Sequence, residues 1–227
     1  MKTSKLMTVV LSILTALVVL TGAVAVPLLC RPFYYAQIGP LGLTRTGLTV
    51  EQIQAAFDDV MDFCLGLRPD FAAGVLPFSQ SGADHFADVR VLFLLDLQVL
   101  AVSLVLLAAA LVFCRVKRLR PRPLLGRGPG FWGAAGLGAV FLVVGGLAAL
   151  DFQRAFVVFH SIFFPGKTNW LFDPADDPII LLLPEDFFCN CALLIFGLLI
   201  LWCAVLIGAD LWMGRRRSAG SGEAGQK

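Results

Sequence analysis

Long apolar runs alternate with charged connections along this chain. Four runs, at about 6–29, 91–114, 131–150 and 187–213, each hold at most one charged side chain. Each is long enough for a helix to cross a bilayer, which takes roughly 20 residues. Two runs extend beyond their apolar part. The second is preceded by Asp84, His85, Asp88 and Arg90 with no breaker, so a helix is expected over 84–114. At 1.5 Å per residue it measures about 46 Å, more than the hydrocarbon takes. The third continues past Leu150 through Asp151, Gln153 and Arg154, with nothing to stop it before Pro165, so a helix over 131–163 is expected. Pro184, Glu185 and Asp186 suit the first turn of a fourth, 185–213.

The connections have patterns of their own. The segment 31–43, with Phe33, Tyr34, Tyr35 and Ile38 before Gly39 and Pro40, reads as extended chain at headgroup level. Thr49 and Gln52 form a capping box. Behind it Val50, Ile53, Phe57, Val60, Met61 and Cys64 recur at helical spacing, with Glu51, Asp58, Asp59 and Asp62 on other faces, until Gly66 and Pro69 end the helix. Ser81 or Asp84 can cap the next helix. In 164–184, Pro165-Gly166, Asp173-Pro174 and Asp177-Pro178 signal turns, and 179–183 reads as a short strand or a shallow membrane dip.

Composition agrees. Of 227 residues 58% are apolar, 19 are Phe, and the mean hydropathy is +0.83, which excludes an ordinary soluble domain. Charge sets the expected orientation. Lys2 and Lys5 precede the first run, Arg215, Arg216 and Arg217 follow the fourth, and 115–130 carries Arg115, Lys117, Arg118, Arg120, Arg122 and Arg127 without an acid. Basic segments stay in the cytoplasm. The fold expected is an all-α membrane protein of four transmembrane helices forming one domain over 1–227. Both termini are cytoplasmic, two structured loops (30–83 and 164–184) are extracytoplasmic, and 218–227 is a disordered tail. The basic runs need no nucleic-acid explanation. Ala23-Val24-Ala25 resembles a signal-peptidase site, but the apolar stretch continues to Leu29, so the first run is read as a retained helix. Leu29 before Cys30 argues against lipoprotein processing. Of the six cysteines, Cys30, Cys64, Cys189 and Cys191 lie on the oxidising side, and spacing leaves their pairing open.

Hydrolase signatures such as G-x-S-x-G, H-E-x-x-H and paired C-x-x-C are missing from the sequence. What stands out is the chain's two histidines. Asp96 and Asp151 both fall near the outer hydrocarbon edge. His85 lies 11 residues beyond the first and His160 lies 9 beyond the second, on antiparallel helices. The counts bring the two rings to similar heights outside the membrane. The bland alternative is that each is an interfacial or hydrogen-bonded structural residue. A zinc site from the histidines and aspartates lacks a spacing signature. Ser161 adjoins His160, but neighbours on a helix point about 100° apart, which makes it a poor nucleophile for that base.

The FH-x-IFF element over 159–164, then W-x-FDP, D-P-I-I and LPE-x-FF, with DHFADV ahead of the second run, resembles the bacterial lipoprotein intramolecular transacylase family. The likeness is sharpest over 83–93 and 156–188. It implies an acyltransferase that moves the sn-2 acyl chain of an S-diacylglyceryl cysteine to that residue's own α-amino group, giving a lyso-form lipoprotein. It implies no cofactor and no metal. The implied partners are the lipoprotein and membrane lipids, in the bacterial cytoplasmic membrane with the site facing the outer leaflet. His85 and His160 are the implied catalytic pair, with Asp84, Asp88, Arg154, Ser161, Lys167, Trp170, Asp173 and Asp177 in support. Phe156, Phe163, Phe164 and Phe187 are expected to meet the substrate. Asp88, at i+3, is expected to raise the basicity of His85 and make it the base for the amine. His160, with Phe156, Val157, Phe163 and Phe164 at i±3 and i±4, is expected to be a neutral donor to the oxyanion or leaving oxygen. The alternative from another class is a non-enzymatic membrane protein whose outer loops bind a partner.

Overall fold

A computed structural model describes residues 2–224. Its helices are α1 (Lys5–Leu29), α2 (Arg31–Tyr35), α3 (Val50–Cys64), α4 (Gln80–Val116), α5 (Pro129–Leu150), α6 (Phe152–Phe163) and α7 (Glu185–Ala224). Helices α1, α4, α5 and α7 are long and apolar enough to cross a membrane. Much of their apolar surface is exposed, as at Val105, Leu142, Val143, Leu193 and Leu201, which only a lipid environment satisfies. The expected tail over 218–227 falls where side chains, and from 225 the backbone, lie outside the described residues.

The chain divides into two compact units, one of residues 1–23, 99–146 and 196–227, the other of 24–98 and 147–195. In the first, strand β1 (Lys2–Ser4) pairs in parallel with β2 (Leu119–Pro121). The Thr8 hydroxyl donates to the Arg122 carbonyl at 2.7 Å, and Asp210 on α7 accepts from the Gly128 amide at 2.9 Å. The N-terminal segment, the basic α4–α5 connection and the far end of α7 are therefore tied together. Small residues let the helices meet: a Cβ on Gly133 of α5 would stand 2.6 Å from the Ser12 carbonyl oxygen of α1, and one on Gly145 would overlap the Phe196 ring.

The second unit holds an aromatic core. Tyr34 on α2 is 1% exposed, stacks on Phe57 of α3 at 3.7 Å, and donates its hydroxyl to the Leu182 carbonyl at 2.9 Å. Ile53, Ala56, Val60, Cys64, Ile179, Leu182 and Leu183 complete it. The Thr49–Gln52 capping box opens α3, and Gly66 at φ +75° follows its end. The acids of α3 are answered locally. Arg31 pairs with Asp58 at 2.8 Å and with Asp62, Arg68 pairs with Asp59, and the Tyr35 hydroxyl donates to Asp58 at 2.6 Å. Burial and that bond push the Tyr35 hydroxyl up to about 12.

Four local expectations are corrected. The segment around Phe33 is helical, because Pro32 near the start of α2 has the fixed φ a helix needs. The third helix breaks at Asp151, whose backbone is extended and whose carboxylate accepts from the Arg154 amide, capping α6 as a separate helix. The cap of α4 is Ser79, whose Oγ accepts from the Gly82 amide at 2.9 Å, so the helix begins four residues early. Residues Pro178–Leu181 form a 3-10 turn rather than a strand, since Ile179 and Leu182 bury against the core. The six cysteines are free.

Candidate active site

Helices α4 and α6 each deliver one histidine to the same place. The rings of His85 and His160 lie 5.9 Å apart with their planes at 29°, and the residues are 5% and 7% exposed. The helical period explains the surroundings. Phe156 and Phe164 stand four residues either side of His160 and share its face. Phe156 packs on His160 at 4.2 Å. Phe164 lies 5.6 Å from His160 and stands edge-on to His85 at 5.1 Å. The loop after α6 closes the box with Trp170, 4.6 Å from His160, and Phe172, edge-on to His85 at 5.4 Å. Two basic rings thus sit inside an apolar wall.

The His160 Nδ1 lies 2.8 Å from the Phe156 carbonyl. A carbonyl can only accept, so Nδ1 carries the hydrogen and, in the neutral ring, Nε2 carries the lone pair. Burial holds the His160 ring below the ordinary histidine value, although the Phe156 bond pulls the other way. His160 is therefore a neutral ring offering a lone pair, which corrects the expectation that it serves as a donor. Asp88 does share a helical face with His85, but its carboxylate is taken by the Lys167 ammonium and, at 3.2 Å, by the Asn169 amide. His85 Nδ1 is buried and makes no hydrogen bond among the described residues. Asp88 is thus not the hydrogen-bonded partner of His85 that the spacing suggested.

Asp177 does structural work at the site. It is 5% exposed, and its two oxygens accept from the Ser79 amide and the Ser79 hydroxyl, each at 2.7 Å. The second loop is thereby fastened to the cap of the helix bearing His85. Gly82 lies so close beneath that a Cβ there would overlap the Asp177 carboxylate. Trp170 is held by its indole N–H, which donates to the Lys167 carbonyl at 3.1 Å.

The other expected residues disperse. Asp173 shapes the loop by accepting from the Ala175 amide at 2.9 Å. Asp84 is exposed and bonded to Gln80 at 2.8 Å. The exposed Ser161 hydroxyl donates to the Val157 carbonyl at 2.8 Å, and Arg154 is exposed on another face of α6. Phe163 is exposed and packs on Phe159 at 4.6 Å. Phe187 belongs to the core instead, 5.2 Å from Tyr34. Sequence reasoning missed Phe172, Asn169 and Ser79. Phe172 stands inside the W-x-FDP element, the one signal that pointed to it.

The arrangement defines an integral membrane protein with a buried pair of histidines in an aromatic box. The sequence model of the lipoprotein intramolecular transacylase Lit family matches residues 9–188. The chain belongs to that family and is an acyltransferase acting on lipoproteins. Its fold is that of the lipoprotein intramolecular transacylase Lit from Bacillus cereus, with a TM-score of 0.82 at 22% identity over 94% of this chain and 97% of that one. Two forms of the same Bacillus cereus protein, with a histidine replaced by arginine or by alanine, each give a TM-score of 0.76 at 22% identity. They cover 95% and 94% of this chain, and 93% and 94% of theirs. No curated protein sequence matches the chain.

Proposed function

We propose that the chain moves the sn-2 acyl group of an S-diacylglyceryl cysteine to the α-amino group of the same residue, with His85 and His160 as the catalytic pair. The observation that carries this is the buried pair of rings, 5.9 Å apart, inside the aromatic box. The reaction forms an N–C bond and breaks the sn-2 C–O bond. Starting from an α-ammonium group, whose pKa is about 8, two protons must leave nitrogen. One goes to the departing glycerol oxygen and one to solvent. The lone pair on His160 Nε2 suits it to take the proton from nitrogen. Burial and then the neighbouring His160 push His85 down to about 4, so it too is neutral. It offers its ring N–H to stabilise the oxyanion, while the proton taken by His160 passes on to the glycerol oxygen. Phe156, Phe164, Trp170 and Phe172 exclude the water that would hydrolyse the ester. Both reacting groups belong to one molecule, so holding them together removes much of the entropic barrier. Lys167 is engaged by Asp88, which leaves the histidines as the more available proton carriers.

The reading includes an orientation: both termini in the cytoplasm and the histidines at the outer leaflet, in contact with membrane lipids. Its support is the basic α4–α5 connection, joined to the N-terminal strand and to the end of α7, because basic segments remain inside. Mass spectrometry of a reporter lipoprotein from cells expressing the chain tests the activity. Conversion to the N-acyl lyso form is expected with the wild type and is expected to fall at least 100-fold in His85→Gln and in His160→Gln, the scale of general acid–base catalysis. Near-normal conversion in either variant refutes the pair. Labelling of Val75→Cys but not Leu125→Cys in intact cells, in a Cys30→Ser background, is expected of the orientation, and the reverse pattern overturns it.

A further inference from the structure

Asn169 belongs to the site, yet the two-histidine scheme gives it no task. Its side chain makes one hydrogen bond, from Nδ2 to Asp88 Oδ2 at 3.2 Å. Chemistry fixes which end of the amide faces Asp88. A carboxylate only accepts, and the other Asp88 oxygen is held by Lys167, so a reversed amide would set two oxygens against each other. Asn169 Oδ1 is therefore the end turned away from Asp88. That oxygen is buried and has no hydrogen-bond partner among the described residues. A buried acceptor left in this state is unfavourable until a donor arrives. The residue is tied to both histidine-bearing elements. It precedes Trp170, which packs on His160, and it is bonded to Asp88, one turn after His85. It also lines an open polar cleft with Ser81, Asp84, Asp88, Lys167 and Thr168.

We propose that Asn169 Oδ1 accepts an N–H from the α-amino group of the substrate cysteine and so orients the nucleophile. The inference rests on the acyl-transfer reading above. A neutral primary amine has two N–H bonds and one lone pair. With one N–H on Asn169 Oδ1 and the other on His160 Nε2, the lone pair is left to face the ester carbon. The amide oxygen supplies no proton and takes none. It holds the amine in the attacking geometry, a position in which water gains no comparable support.

The test compares S-diacylglyceryl cysteinyl peptide with its desamino analogue, in which hydrogen replaces the α-amine and no transfer can occur. The wild type is expected to bind the amine-bearing ligand more tightly than the analogue, by about tenfold for each of the two hydrogen bonds. Asn169→Ala is expected to cut that preference about tenfold, leaving the share due to His160, and to lower kcat. Asn169→Gln, which keeps both the amide donor for Asp88 and an amide acceptor, is expected to retain part of the preference. Unchanged discrimination in Asn169→Ala, or equal loss of affinity for both ligands in both variants, overturns the inference. Absence of transfer by the wild-type protein would instead defeat the acyl-transfer reading itself.

Discussion

Replacing Asp177 separates the fastening of the second loop from the chemistry of the histidines. The wild-type carboxylate accepts two hydrogen bonds of 2.7 Å from Ser79 in a site where Asp177 is 5% exposed. Bonds to a charged acceptor contribute about 1.5–3 kcal/mol each, and a buried donor left unpaired costs about 1–3 kcal/mol. Asp177→Ala removes both bonds but admits some water, so a net loss of about 3 kcal/mol is expected, roughly a hundredfold in the docking of the loop. Asp177→Asn keeps one acceptor oxygen and is expected to lose about half as much. Thermal unfolding of purified protein in detergent reads the stability, and turnover of a synthetic diacylglyceryl peptide by mass spectrometry reads the site. Turnover is expected to fall in the order wild type, Asn, Ala, with the Tm falling in the same order. If Asp177→Ala changes stability by less than about 0.5 kcal/mol and turns over normally, the loop is held by something else.

Further outcomes follow from the geometry. His160 is held below 6.5 by burial, so kcat is expected to fall in two acid steps, one near the amine at about 8 and one below 6.5. Between 6.5 and the folded value the unfolded chain binds a proton that the folded chain does not, so stability decreases as pH falls through that window. Trp170→Ala opens the box and is expected to move the lower step up toward 6.5; an unmoved step would show that Trp170 does not shield the ring. In the first unit, Gly133→Ala is expected to cost about 1–3 kcal/mol by overpacking, because its Cβ meets the Ser12 carbonyl oxygen at 2.6 Å. A Tm equal to wild type would mean that α1 and α5 shift apart without penalty.

The hydrophobic pattern alone determined much of this protein. Residence in a membrane, the number of crossing helices and the capped helix at Thr49 all follow from local rules of length, periodicity and hydrogen-bond supply. The blocks around His85 and His160 were also enough to point to the transacylase family. The tertiary structure decided what depends on partners distant in sequence. Pro178–Leu181 became a 3-10 turn because Tyr34, from the first loop, reaches the Leu182 carbonyl. Phe187 and Phe164 look alike as aromatics beside prolines, but one fills the Tyr34–Phe57 core and the other lies against both histidines. Helical spacing pairs Asp88 with His85, but it says only which side chains share a face and not what a loop 79 residues away brings to them. Lys167 and Asn169 take that carboxylate, and the Phe156 carbonyl fixes the His160 tautomer. Spacing along each helix sets the height of its ring and the local bond that fixes the His160 tautomer; only the packed loop brings Trp170 and Phe172 against the two rings.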